Sequence, residues 1–257
     1  MTVPLLKKIA QSRRPAALSF PEVLALSNGD VPLTVRCNPR AKRIIMRITP
    51  GGAGLTVTVP PRTRHETVLD FLDRHRGWAE SRLSIAPKRL TVTHGAMLPF
   101  AGGLLEIVHE PSRRVTTLVI GQNDEPSRLL VGGASEHLPR RVADALKREA
   151  RRRLQAAVDK HAAAVELKPR AMTLKDTTSR WGSCTHDRRL AFSWRIVMAP
   201  PYVLDYLVAH EVAHFREMNH SPRFWAVCRS LCPSMEAGKA WLKRHGGSLH
   251  GIDFGAA

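Results

Sequence analysis

HEVAHFREMNH, residues 210–220, is the stretch whose reading decides the fold. His210 and His214 stand four apart, with Glu211 beside the first. On an α-helix that spacing puts both imidazoles on one face about one turn apart, so they can close on one ion. Glu211, about 100° further round the helix, can reach a water on that ion while ligating it poorly itself. Zinc held by only three protein ligands keeps an open position for water, which is the arrangement of a hydrolase.

The surrounding residues support a helix. Pro200 and Pro201 suit a first turn, and neither proline nor glycine interrupts Tyr202 to Met218. Leu204, Val208, Val212 and Phe215 form an apolar stripe that Val203, Leu207 and Ala213 broaden, as on a buried helix. Two histidines and a glutamate buried there need partners, and a metal supplies one for all three. Asn219 reads as a left-handed helix stop, and Ser221-Pro222 as N-cap and first position of the next helix. His220 then lies at a corner that can swing it back to the ion, with Phe224 and Trp225 behind it. His220 is the preferred third ligand; Glu217, nearer the exposed side, is the rival.

RWGSC (Arg180–Cys184) and LAFSWRIVMAPPYVLDYLVAHEVAHFREMNHSPRFW (Leu190–Trp225) resemble the YgjP-like zinc metallopeptidases, relatives of the WLM and SprT-like proteases within the zincins. The resemblance is dense over residues 170–245 and looser upstream. It implies His210, His214 and His220 as ligands of one Zn2+ and Glu211 as the catalytic residue. The family more often has Asn where this chain has Ser193.

The 257 residues carry 40 Lys and Arg against 22 acids, a formal charge of +18. Such a chain favours polyanions. The charge concentrates at Arg140–Arg153, a candidate contact for nucleic acid or another polyanion, although no aromatics interleave for base stacking. No apolar run reaches the ~20 residues of a membrane span, and the N-terminus lacks the apolar core of a signal peptide. Cys37, Cys184, Cys228 and Cys232 contain no C-x-x-C pair, so a reducing cytoplasm is expected.

The expected class is α+β, with a zincin-like C-terminal domain preceded by a β-rich N-terminal module. Residues 1–25 read as a flexible tail and 26–135 as the module, with strands at 31–37, 42–48 and 55–60, a helix at 64–85, and further strands at 89–93, 104–110, 114–121 and 128–133. Residues 136–257 read as the metallopeptidase domain: a long helix at 139–167, strands at 171–176 and 188–197, the H-E-x-x-H helix, and helices at 222–231 and 235–245. A join is expected at 133–138, and no internal repeat is visible. The strand at 190–197 is expected to edge the cleft and pair with an extended peptide. The expected substrate is a peptide or protein, attacked by a zinc-activated water with Glu211 as base. Arg180 and Tyr206 are candidates for contacts to the transition state or substrate, His161 for a packed core residue, and Trp181 and Cys184 for structural roles. Two other classes fit the same residues: a metal-dependent nucleotide phosphohydrolase (pyrophosphatase), and a nucleic-acid-associated zinc-binding module.

Overall fold

The computed structural model describes residues 20–27, 29–49, 52–85, 90–122 and 125–255. Most of the expected tail, 1–19, lies outside them. The chain divides into two units, residues 1–48 with 54–84, and residues 49–53 with 85–257.

In the first unit, β1 (Val23–Leu26), β2 (Gly29–Cys37), β3 (Ile45–Ile48) and β4 (Leu55–Val59) form a sheet of order β1-β2-β4-β3. Alternation in β4 buries Leu55, Val57 and Val59 on one face, as a half-covered strand requires. Val68 and Leu72 of α1 (His65–Arg74) and Ala79 of α2 (Arg76–Ile85) share that core. The single helix expected over 64–85 is broken at His75. There the imidazole bonds back to the Phe71 carbonyl at 2.8 Å, and Gly77 lowers helix propensity just beyond.

The second unit contains β5 (Leu90–Thr91), β6 (Met97–Phe100), β7 (Gly103–His109), β8 (Thr117–Val119) and β9 (Ser127–Val131). Next come α3 (Leu138–Ala164), β10 (Ala171–Lys175), β11 (Gly182–Cys184) and β12 (Arg189–Ser193). The chain closes with α4 (Pro201–Ala213), α5 (Pro222–Leu231), α6 (Met235–His250) and β13 (Ile252–Asp253). A long helix, a small sheet and then the H-E-x-x-H helix follow in the expected order. The division near residue 85 differs from the join expected at 133–138. Leu98, Leu105, Ile107, Leu129 and Val131 of the β6–β9 sheet share one core with Val142, Leu146 and Leu154 of α3, so these strands belong with the C-terminal elements.

The chain also carries a structural repeat. Both four-stranded sheets have an antiparallel pair, a parallel central pair and a second antiparallel pair, in orders β1-β2-β4-β3 and β6-β7-β9-β8. Leu33 pairs with Leu55 and Leu105 with Ser127, while Ile45 pairs with Thr58 and Thr117 with Leu130, a constant offset of 72 residues. Identity at that offset is confined to scattered positions such as Pro39 and Pro111 or Val59 and Val131. What is kept is the inward apolar pattern, which many residue types satisfy, so the sequence shows no repeat.

Three boundaries near the site differ from expectation. The strand expected over 188–197 ends at Ser193, and Trp194–Met198 coil into a largely buried 3-10 turn; no glycine or proline marks the change in the sequence. The long helix stops where Glu166 takes a left-handed φ of 57°. α4 ends at Ala213, earlier than Asn219, and the N–H groups of Phe215, Arg216 and Glu217 bond back to Val212 and Ala213 in a tight turn.

α4 is buried on most sides, at Val203, Leu204, Leu207, Val208, Val212 and Ala213 among others. Gly238 of α6 lets that helix close on it, because a Cβ there would lie 2.5 Å from the Tyr206 Cβ. A polar tie joins α3 to α4: His161, 1% exposed, meets Asp205 at 2.8 Å, with Lys160 on the same carboxylate oxygen at 3.1 Å. The His161 hydrogen bond, then that from Lys160, holds the Asp205 carboxyl down at about 2.

A carboxyl depressed in the fold stabilises it at pH values above its unfolded pKa, and that contribution is lost as the pH falls through the folded value. Asp205→Asn is therefore expected to cost about 1–2 kcal/mol at neutral pH. The margin between wild type and variant should shrink as the pH falls from about 4 toward about 2, as read by urea unfolding across that range.

Candidate metal centre

His210 sits in the last turn of α4 and His214 caps that helix. The tight turn after it carries the chain round to Ser221, whose side chain accepts from the Phe224 N–H and starts α5. His220 therefore returns over the end of α4. The Nε2 atoms of His210 and His220 lie 3.1 Å apart, and one ligand atom from each of the three histidines lies within 4.8 Å of the others. Phe224, fully buried, packs on all three rings with centroids 4.9, 4.5 and 4.7 Å from those of His210, His214 and His220. The sequence placed this phenylalanine behind the corner; the fold makes it the common floor of the cluster.

The Nδ1 of His214 lies 3.0 Å from the Glu217 carbonyl. An N–H donated there fixes the tautomer and leaves Nε2 its lone pair for a metal. Glu217 thus serves this corner through its backbone. Its carboxylate does not join the cluster, and among the described residues no cysteine or carboxylate does. Burial, then the neighbouring His214 and His220, pushes the His210 imidazole down to about 4, and burial also lowers His214. Both are thereby kept neutral, the form that ligates metal.

Glu211 is 5% exposed. Burial raises its carboxyl to about 7, opposed by the positive charge of Arg180. Its neighbour is Gly182 of β11: a Cβ there would come within 2.5 Å of Glu211 Oε1 and 2.8 Å of its Cγ. Glycine in RWGSC is what makes room for the carboxylate, a role its sequence spacing does not show. Cys184, two residues on, is held as a thiol, raised to about 12 by burial and then by Glu211. Tyr206 is packed in the core with Cys228, Cys232 and Met235, its ring 6.0 Å from that of His210, and burial raises its phenol to about 12. Its surroundings account for it as packing. Arg180 is exposed and acts on Glu211 only through its charge.

The strand expected to edge the cleft is central instead. β12 pairs in parallel with β10 and antiparallel with β11, in the order β10-β12-β11. β11 is the edge on the α4 side. Trp181 and Thr185 turn their backbone groups toward β12, through Ser193 N–H to Trp181 O at 2.8 Å and Thr185 N–H to Arg189 O at 3.0 Å. By the alternation of an antiparallel pair, Gly182 and Cys184 direct theirs outward. A three-residue strand is too short to show a period in sequence.

The charged face of α3 is partly neutralised within the fold. Arg152 and Arg153 both reach Glu149 at 2.6 Å, and Arg140 and Lys147 reach Asp144 at 3.8 and 3.3 Å. No helix among the described residues is long and apolar enough to cross a membrane.

A family model described as YgjP-like, metallopeptidase domain, matches residues 42–245, and the chain belongs to that family. It is accordingly a metal-dependent peptidase, with a peptide or protein as substrate. The crystal structure of the metallopeptidase zymogen jannalysin of Methanocaldococcus jannaschii is similar at 19% identity, over 35% of this chain and 95% of that one, with a TM-score of 0.30. A likeness that slight carries no argument. No curated protein matches the chain, and none of the comparisons points to a nucleic-acid partner.

Gly182→Ala should displace the Glu211 carboxylate while leaving the three imidazoles in place. The expected outcome is bound metal at wild-type stoichiometry by elemental analysis, with peptide hydrolysis reduced by about tenfold or more.

Proposed function

We propose that the chain is a zinc-dependent peptidase in which His210, His214 and His220 hold one Zn2+ and Glu211 is the catalytic base. The convergence of three imidazole nitrogens beside a buried carboxylate carries this reading. The residues fit the ion. Tetrahedral zinc with nitrogen ligands at about 2.0–2.1 Å sets neighbouring nitrogens about 3.3 Å apart, and Nε2 of His210 and His220 are separated by 3.1 Å. Neutral imidazoles suit zinc, and the lack of a fourth protein ligand among the described residues favours a catalytic site over a structural one.

Zinc, when bound, supplies a Lewis acid that polarises the peptide carbonyl and brings the pKa of water toward neutrality. Glu211 takes the proton of the attacking water and passes it to the leaving amine. Burial alone raises its carboxyl, but a dication beside it favours the ionised form, so the base is a carboxylate at neutral pH. Gly182 lets the carboxylate lie against β11, and a peptide laid along that edge can pair with the outward groups of Gly182 and Cys184. Such pairing reads backbone and holds the scissile bond near Glu211. Family membership favours this reading over the nucleotide phosphohydrolase. The four free thiols fit a reducing cytoplasm.

The test is to incubate the zinc-loaded protein with a peptide library and a nucleotide panel side by side, with Glu211→Gln as blank. Glu211→Gln should retain zinc and lose peptide hydrolysis by at least about a hundredfold; full activity in that variant would remove the base. His220→Ala should weaken zinc binding by more than about tenfold, as loss of a ligand outweighs loss of an outer partner. Unchanged zinc content in His220→Ala would remove it from the ligand set.

A further inference from the structure

A cavity of about 240 Å³ opens beside β11, with Lys175, Thr177, Ser179 and Arg180 on its polar side and Gly182 and Phe192 toward the sheet. It holds one side chain rather than a drug-sized molecule. Its lining carries two cations and no acid. The acids nearest in sequence are already engaged: Asp176 pairs with Arg195 at 2.6 Å, and Asp187 with Arg170 and Arg189 at 3.2 and 2.8 Å. Among the described residues neither Lys175 nor Arg180 has a carboxylate within 4.0 Å. The Thr177 hydroxyl donates to the Arg180 carbonyl at 3.0 Å, which ties the loop bearing the cations into a turn.

The cavity adjoins the chemistry. Gly182 is at once part of its wall and the residue against which the Glu211 carboxylate lies. Arg180 is close enough for its charge to act on that carboxylate. A peptide paired along β11 places successive side chains on alternate faces, so those on one face turn toward the cavity that Arg180 and, from β10, Lys175 line. An ammonium and a guanidinium on one recess offer charge-assisted hydrogen bonds to an anion, and an incoming cation is repelled.

We propose that this cavity is a specificity subsite for a carboxylate of the peptide substrate, close to the scissile bond. The carboxylate comes from an acidic side chain or from the peptide's own C-terminus. This inference rests on the peptidase reading and adds a substrate class to it.

The zinc-loaded protein is assayed on peptide pools that place Glu, Gln or Lys at each position within about four residues of the cut, each pool made with a free and an amidated C-terminus. Glu should be cleaved about five- to tenfold faster than Gln at one position, or free C-termini faster than amidated ones by the same factor. The preference should fall with added salt. Lys175→Glu should reverse it toward Lys-containing peptides, and Lys175→Arg should keep it; a merely structural role for Lys175 predicts no change of sign. Peptides cut with no charge preference, or a preference that survives Lys175→Glu, would overturn the subsite and leave the peptidase reading standing. Glu211-dependent hydrolysis of nucleotides with no peptide cut would overturn both.

Discussion

Burial of α4 is the constraint on which the rest depends. A helix apolar on most sides has been placed among α3, α5, α6 and β11, and two imidazoles and a carboxylate have gone in with it. Polar groups taken out of water need partners. Here the Glu217 carbonyl serves His214, the Nε2 atoms of His210 and His220 face each other across 3.1 Å, and Gly182 leaves room for the Glu211 carboxylate. The same desolvation keeps His210 neutral and lifts the Glu211 carboxyl. One packing decision therefore brings imidazole nitrogens together and sets a carboxylate beside them.

That decision is held in place from outside the cluster. Phe224 supports all three rings from α5, and Asp205 ties the start of α4 to His161 on α3. β11 brings a sheet edge against Glu211, and the basic recess at its start extends the site along that edge. Two kinds of control are thus separated in the fold. On the reading proposed, the buried residues fix where hydrolysis occurs, and the exposed Lys175 and Arg180 bias which peptide arrives.

Much of this could be read from residue order. Spacing of His210 and His214, the apolar stripe, and Ser221-Pro222 as a helix start gave α4, the corner and α5, because each is a local pattern with its own period or cap. The strand edge was misassigned. Leu190–Val197 is mostly apolar and carries neither glycine nor proline, and such a run does not say whether both its neighbours are strands or where it coils. β11 was missed for the opposite reason, being three residues long and free of alternation. The 72-residue repeat stayed hidden because the two sheets preserve inward apolar positions and little identity.

What the sequence by itself determined is the kind of chemistry: side chains able to ligate, a carboxylate able to move a proton, and helices that must be buried. These follow from spacing within one element, where geometry is set by the helix. Tertiary structure alone decided how those groups are supported: the Glu217 backbone rather than its carboxylate at the corner, Tyr206 in the core, β11 rather than β12 at the edge, and the division of the chain near residue 85. Each of these depends on which distant segments come to lie side by side, and no local period encodes that.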